Sequence, residues 1–377
     1  MQRLLCFFDG TWNRPDAKDE QTNVVKLYRA VLERAPDGIA QITHYEFGIA
    51  SEASYGRFTF AAGAIGDGVA ERIQAGYRFL VENYRPGDEI YIFGFSRGAF
   101  QARALGGLID HCGILAPEHA GRIAEAWSSY QDARHTSDAE RVAGLHAAGH
   151  CPVRIRLIGV WDTVGNLGIP IVPKFADKRE LTFHNTRLSP QVDIGLHALS
   201  IDEPRKSFSP TFWTKPAEAT LPEGQIIEQV WFPGCHANVG GGYKDSGLSD
   251  ISLLWMAERV TALTGVAFDF GLLRQTAHPD PLAEAVQPTS DPLFRVSQIL
   301  PYVRLLHQDV RGIATLRRWI AGTWRASKVP ASEEVVNEAI HPSATARYHR
   351  RVKLRRGSEV KAVLYKPRQL KAERKRQ

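Results

Sequence analysis

Apolar and polar positions alternate along this chain in two rhythms. Short, nearly unbroken apolar runs recur at residues 3–8, 42–49, 90–93, 153–160 and 226–232, each of strand length and rich in β-branched or aromatic residues. Between them the apolar positions fall at helical spacing over residues 22–32, 69–84, 96–111 and 251–263. In the second of these, Val69, Ile73, Tyr77, Leu80 and Val81 make one face, and Arg85-Pro86-Gly87-Asp88 ends it. Residues 117–150 read as a polar helical pair and residues 192–201 as a further short helix. Strands alternating with helices predict an α/β fold, a mostly parallel sheet covered by helices on both faces.

Beyond residue 265 the rhythm changes. Residues 266–340 carry helical patterns and no convincing strand, which predicts a helical addition to a core of residues 1–265. Four prolines among polar residues at 279–292 mark a linker or mobile loop within it. Residues 341–377 hold 13 Lys and Arg against two Glu, so this segment carries the whole positive balance of a chain whose net charge is only +6. Such a segment can touch anionic lipid or nucleic acid, but a solvated surface segment is the favoured explanation.

The bulk composition, 44% hydrophobic and 23% charged in 377 residues, is that of a globular protein. The first ten residues lack the parts of a signal peptide, and no apolar stretch reaches membrane-spanning length. The expectation is a protein cytoplasmic in the producing cell, or one exported by a system that reads no leader. Cys6, Cys112, Cys151 and Cys235 form no C-x-x-C pair, which predicts free thiols.

The chemistry concentrates where the third apolar run ends, in Gly94-Phe95-Ser96-Arg97-Gly98. A strand that turns abruptly into a helix presents the residue at the turn outward, and glycines two positions to either side are needed because a Cβ there would collide with the neighbouring backbone. Ser96 is therefore the candidate nucleophile. A serine hydroxyl needs a base, and an imidazole oriented by a carboxylate is the usual one. In elbow-type arrangements the chain order is Ser, acid, His. Asp162 and His236 satisfy that order, and each follows the end of a predicted strand, so that parallel strands would carry all three to one edge. Asp202 is the alternative acid. For the oxyanion, the backbone N–H of Arg97 at the helix start is one expected donor, and Gly10 or Thr11 after the first strand supplies the second. Asp9 is expected to brace that turn. No zinc motif or phosphate loop is present, and no metal or cofactor is expected.

Five segments together look familiar: residues 8–13 (Phe-Asp-Gly-Thr-Trp-Asn), 94–99 around Ser96, 159–165 around Asp162, 197–203 (His-Ala-Leu-Ser-Ile-Asp-Glu) and 231–243 around His236. In this order they resemble a bacterial and fungal α/β-hydrolase family that includes the phospholipase effectors of type VI secretion, the Tle-one-like class. The resemblance spans about residues 3–265, and His341-Pro342-Ser343 and Tyr365-Lys366-Pro367 resemble the family's C-terminal end. It implies an α/β-hydrolase-like fold, an acyl-enzyme mechanism with Ser96, Asp162 and His236, and a lipid or acyl-ester substrate, glycerophospholipid first. It further implies that the basic segment folds back onto the domain. Residues 49–62 and 168–190, with Ile49, Phe58, Phe60, Ile169, Ile171, Val172 and Phe175, are candidates for an acyl site or lid. The competing expectations are a thioesterase or peptidase with the same triad, and a non-catalytic module that binds anionic membrane or nucleic acid through its basic segment. Nucleic acid is the less favoured partner, and no oligomeric state is assigned.

Overall fold

Seven parallel strands form the centre of the protein, seen in a computed structural model that describes residues 1–10, 20–48, 62–133, 138–164, 186–205, 208–288, 302–304, 325–326, 332–367 and 370. Six come from the first 232 residues: β1 (Arg3–Phe8), β2 (Gln41–Glu46), β3 (Glu89–Phe95), β4 (Ile155–Trp161), β5 (Val192–Ser200) and β6 (Ile226–Phe232). Two-residue β7 (Ala285–Val286) lies outside this sheet, and β8 (Glu338–Ile340) completes it, in the order β8-β6-β5-β4-β3-β1-β2. All neighbours in it are parallel. Every residue of β1 is buried because both faces are covered: Leu4, Cys6 and Phe8 pack to one side, Leu5 and Phe7 to the other. The first face carries α2 (Ala62–Asn83), α3 (Arg97–Cys112), α4 (Ile123–Asp132) and α5 (Ala139–Ala147). The second carries α1 (Asn23–Arg29), α7 (Gly247–Thr264) and α8 (Phe270–Thr276).

The expected α/β architecture is thus present, but one element differs in kind. Residues 192–201, expected as a helix, instead hold the interior strand β5 over 192–200. With neighbours on both edges and layers on both faces, β5 has no need of polar residues at alternate positions, and an apolar run of this length carries no period that separates strand from helix. A second difference concerns residues 266–340, where no strand was expected. Their described part holds α8 but also β7, β8 and further short strands such as Glu333–Val335. Strands of two or three residues are too short to leave a periodic trace; Glu338 of β8 finds its place only against Gln229 of β6. Residues 279–288 of the expected linker are described and include β7, whereas 289–292 lie outside the described residues.

The basic segment is folded. Helix α9 (Pro342–Arg347) leads into an antiparallel hairpin of β9 (Arg351–Arg356) and β10 (Glu359–Leu364), and β7 pairs with β9 to make a three-stranded sheet. Ala344, Val352, Tyr365 and Leu370 pack against Leu199, Ile201, Phe212 and Trp231 beside the central sheet. The four cysteines are unpaired, and among the described residues no helix is long and apolar enough to cross a membrane.

Candidate active site

In the order of this sheet, the chain leaves β1 for β2 on one side and leaves β3 for β4 on the other. The carboxyl ends of strands at such a reversal diverge and leave a crevice. Ser96 stands there, immediately after β3, with φ 59° and ψ −116°. The flanking glycines explain why the backbone can do this. A Cβ on Gly94 would lie 2.3 Å from the Gly98 carbonyl oxygen, and one on Gly98 would lie 2.0 Å from the Phe8 carbonyl oxygen. The Ser96 N–H donates to the Trp161 carbonyl at 3.1 Å, which fixes the turn to the neighbouring strand end, and α3 begins at Arg97. A non-glycine residue held at positive φ costs about 1–3 kcal/mol and persists where the surroundings enforce it.

Register brings the next strand end alongside. Phe95 of β3 pairs with Trp161 of β4, so Asp162 follows β4 as Ser96 follows β3, and Asp162 also has positive φ, 41°. The carboxylate is fully buried. Its Oδ1 accepts the Ser200 N–H at 3.0 Å and its Oδ2 accepts the Ser200 hydroxyl at 3.1 Å. The next residue is anchored too, as the Thr163 N–H donates to His197 Nε2 at 3.1 Å. Burial, with Arg103 nearby, lowers the His197 imidazole to about 3, so it stays neutral and can accept that bond.

His236 starts the short helix α6 (His236–Gly240), four residues past β6. The glycines after it let this helix close on its surroundings: a Cβ on Gly240 would overlap the Phe95 ring at 2.0 Å, and Gly241, at φ 87°, lies against the backbone of Thr22 and Asn23. The imidazole is 5% exposed, with the Phe95 and Phe208 rings 4.7 and 4.9 Å from it. Its Nδ1 lies 2.6 Å from Asp162 Oδ2. A carboxylate there takes the Nδ1 proton's hydrogen bond, which leaves the lone pair on Nε2. Nε2 is buried and has no hydrogen-bond partner among the described residues, and no hydrogen bond joins the ring to Ser96. The backbone N–H of His236 donates to Glu203 Oε2 at 3.1 Å, and Glu203 in turn pairs with Arg205, whose guanidinium lies over Phe208.

Sequence reasoning missed the other partner of Asp162. Arg304, fully buried, donates from Nη1 to Asp162 Oδ1 at 2.5 Å and from Nη2 to Oδ2 at 3.0 Å. Nη1 also reaches the Ser200 carbonyl at 2.9 Å, and Nη2 the Phe208 carbonyl. Burial pushes the Asp162 carboxyl up, yet Arg304 and the His236 hydrogen bond outweigh it and hold the group well below the usual carboxylate range. No local signal marks Arg304, whose partner Asp162 lies 142 residues away in the sequence.

The remaining expected residues divide. Asp202 is not at the ring; it accepts the Gly234 N–H at 2.7 Å and the Tyr365 hydroxyl at 2.9 Å, and burial pushes it up to about 6. Arg97 is at the helix start, where its backbone N–H is one of the unsatisfied first-turn donors of α3. The Gly10 N–H is already taken by Asp9 Oδ1 at 2.6 Å; Asp9 Oδ2 also accepts from Thr22 at 2.7 Å and Tyr45 at 2.5 Å. Asp9 thus braces this turn, and Gly10 is not presented to an oxyanion as expected. Thr11 lies outside the described residues, as do residues 49–61 and 165–185, which include most of the two candidate acyl-site loops.

Residues 2–259 match the family described as the catalytic domain of Tle1-like phospholipase effectors of type VI secretion. The chain belongs to this family. Membership places its domain, in broad class, among the lipase- and esterase-type hydrolases. The chain is 30% identical over 232 residues to the uncharacterized protein YEL023C of Saccharomyces cerevisiae, a match covering 56% of this chain and 32% of that protein. The chain therefore spans about a third of the length of this curated relative. Among solved structures it is similar to an uncharacterized protein from Pseudomonas aeruginosa, with 18% identity, TM-score 0.39 and coverage of 71% of this chain and 46% of the other. It is also similar to a metagenomic carboxyl esterase, with 11% identity, TM-score 0.31 and coverage of 68% and 74%.

Proposed function

We propose that the chain is a serine ester hydrolase that cleaves a glycerophospholipid or a similar acyl ester, with Ser96 as nucleophile, His236 as general base and Asp162 as the carboxylate behind it. The observation that carries this reading is the 2.6 Å contact of Asp162 Oδ2 with His236 Nδ1, beside a serine held at positive φ on the adjoining strand end. It leaves Nε2, the nitrogen a base needs, with its lone pair unused. Catalytic hydrogen bonds of this kind commonly tighten only when substrate is bound.

In the proposed reaction Ser96 Oγ attacks the ester carbonyl carbon and its proton passes to His236 Nε2. Asp162 stays ionised and stabilises the imidazolium. The carbonyl oxygen, now an anion, is held by the Arg97 N–H at the start of α3, where the helix dipole favours negative charge. The C–O bond to the alcohol breaks, the alcohol leaves with the proton from Nε2, and an acyl-Ser96 ester remains. Water, deprotonated by His236, attacks that ester; the fatty acid departs and Ser96 regains its proton. Residues 1–265 serve as the catalytic core in this reading, with 266–340 and 341–377 as additions to it. The lipid substrate and an effector role are taken from the family's description.

A fluorophosphonate probe should label the folded protein and fail to label Ser96→Ala, and fatty acid or lysolipid release from a panel of lipids should disappear in the same variant. Folded wild-type protein that the probe leaves unmarked, and that releases no fatty acid, would overturn the proposal.

A further inference from the structure

The hairpin β9–β10 has two unlike faces. Val352 and Val363, paired across it, point into the packing beside the central sheet. The opposite face is exposed at all six positions and has a regular composition. Arg351 is paired with Leu364, Lys353 with Ala362 and Arg355 with Val360, so each of its three cross-strand pairs sets a cation against an apolar residue. Val360 is 41% and Leu364 50% exposed; with Leu282, in the turn before β7, they make three of the five large hydrophobics exposed among the described residues. Arg355 is bonded to Glu284, and Glu359 and Lys361 pair with each other. With Glu284 counted, the five cations of residues 351–364 stand against two anions, and three of them, Arg351, Lys353 and Arg355, lie on this face.

We propose that this face docks the chain on the surface of an anionic lipid bilayer. Phospholipid headgroups attract the cations, while the interface just beneath takes up short apolar side chains, so one surface satisfies both halves of each pair. A nucleic acid backbone would engage the cations and leave Val360, Ala362 and Leu364 without a purpose. A second copy of the same face would set cations against cations. The sheet is also joined to the candidate active site. The Val286 N–H of β7 donates at 3.1 Å to Asn238 Oδ1 in the helix that starts at His236, and Tyr365, directly after β10, donates to Asp202, which holds the Gly234 N–H. These bonds tie the docking sheet to the loop and helix that carry His236.

The test reads binding in the Ser96→Ala protein, which separates docking from ester cleavage: either can fail alone. Co-sedimentation with vesicles of phosphatidylcholine mixed with phosphatidylserine should be strong, weakened by salt, and at least about tenfold weaker with phosphatidylcholine alone. Arg351→Glu with Lys353→Glu should lower partitioning at least about tenfold, and Val360→Ser with Leu364→Ser about fivefold at unchanged charge. Should charge reversal disturb folding, Arg351→Gln with Lys353→Gln gives an intermediate loss. Equal binding to both vesicle types, or binding unchanged in every variant, would overturn the proposal. So would a dimer, seen by light scattering, that Leu364→Ser dissolves.

Discussion

Two carboxylates sit at the ends of adjacent strands, and their surroundings send them in opposite directions. Asp162 follows β4 and is met by a ring nitrogen, a hydroxyl, a backbone N–H and the forked guanidinium of Arg304. Asp202 follows β5 and is met by one backbone N–H and one phenol. Both are pushed up by burial. Only Asp162 has a full positive charge in contact, and it is held ionised while Asp202 rises to about 6. A carboxylate's role therefore depends less on its place after a strand than on whether a cation reaches it. Asp162 is bonded to the His236 ring, and Asp202 ties the chain after β10 to the loop before His236.

The sharpest way to break this contrast is to neutralise each group in turn. Asp162→Asn should lower kcat by about four orders of magnitude in the protein that folds, because the ring loses the partner that sets its tautomer, and it should also destabilise the fold because the buried Arg304 loses its counter-charge. Asp202→Asn should cost less than about tenfold; equal losses in steady-state ester hydrolysis would make Asp202 the working acid. Next in size is Arg304→Met, which leaves a buried carboxylate without its cation and should destabilise the fold by about 3–5 kcal/mol in denaturant unfolding. A change below about 1 kcal/mol would show that Arg304 does not hold Asp162 ionised.

The smallest effect is a pH dependence. The folded Asp202 carboxyl, at about 6, binds its proton more tightly than the unfolded group at 3.8, so its contribution to stability is full below 3.8 and is lost as pH rises towards 6. Asp202→Asn should gain on wild type across that window by roughly 1–2 kcal/mol, a figure reduced from the full shift for the group's partial exposure. Asp162 runs the other way: its contribution is lost only as pH falls below the usual carboxylate range. Thermal melts of both proteins at several pH values would show it, and parallel curves would refute it.

How far the chain could be read without coordinates follows from the length scale of each feature. Ser96 was legible because its turn is local: the apolar run, the two glycines and the helix start lie within a few residues, and the clashes at Gly94 and Gly98 are with backbone that any such turn brings close. Asp162 and His236 were legible because each follows a strand whose apolar pattern is clear. Strand β5 was not, because a central strand buried on both faces loses the alternation that would betray it. Gly10 was assigned to the oxyanion from its position, yet Asp9, its own neighbour, takes its N–H.

The amino-acid sequence by itself determined the alternating strands and helices, the strained serine turn and the order in which Ser96, Asp162 and His236 follow their strands, all of which depend on neighbours or on pattern. Only the tertiary structure decided which carboxylate stands behind His236, that Arg304 closes on it, that β8 finishes the sheet, and which face of the basic hairpin is left outward. Those outcomes depend on groups as much as 142 residues apart, and contact between distant groups is a property of packing, which no local pattern encodes.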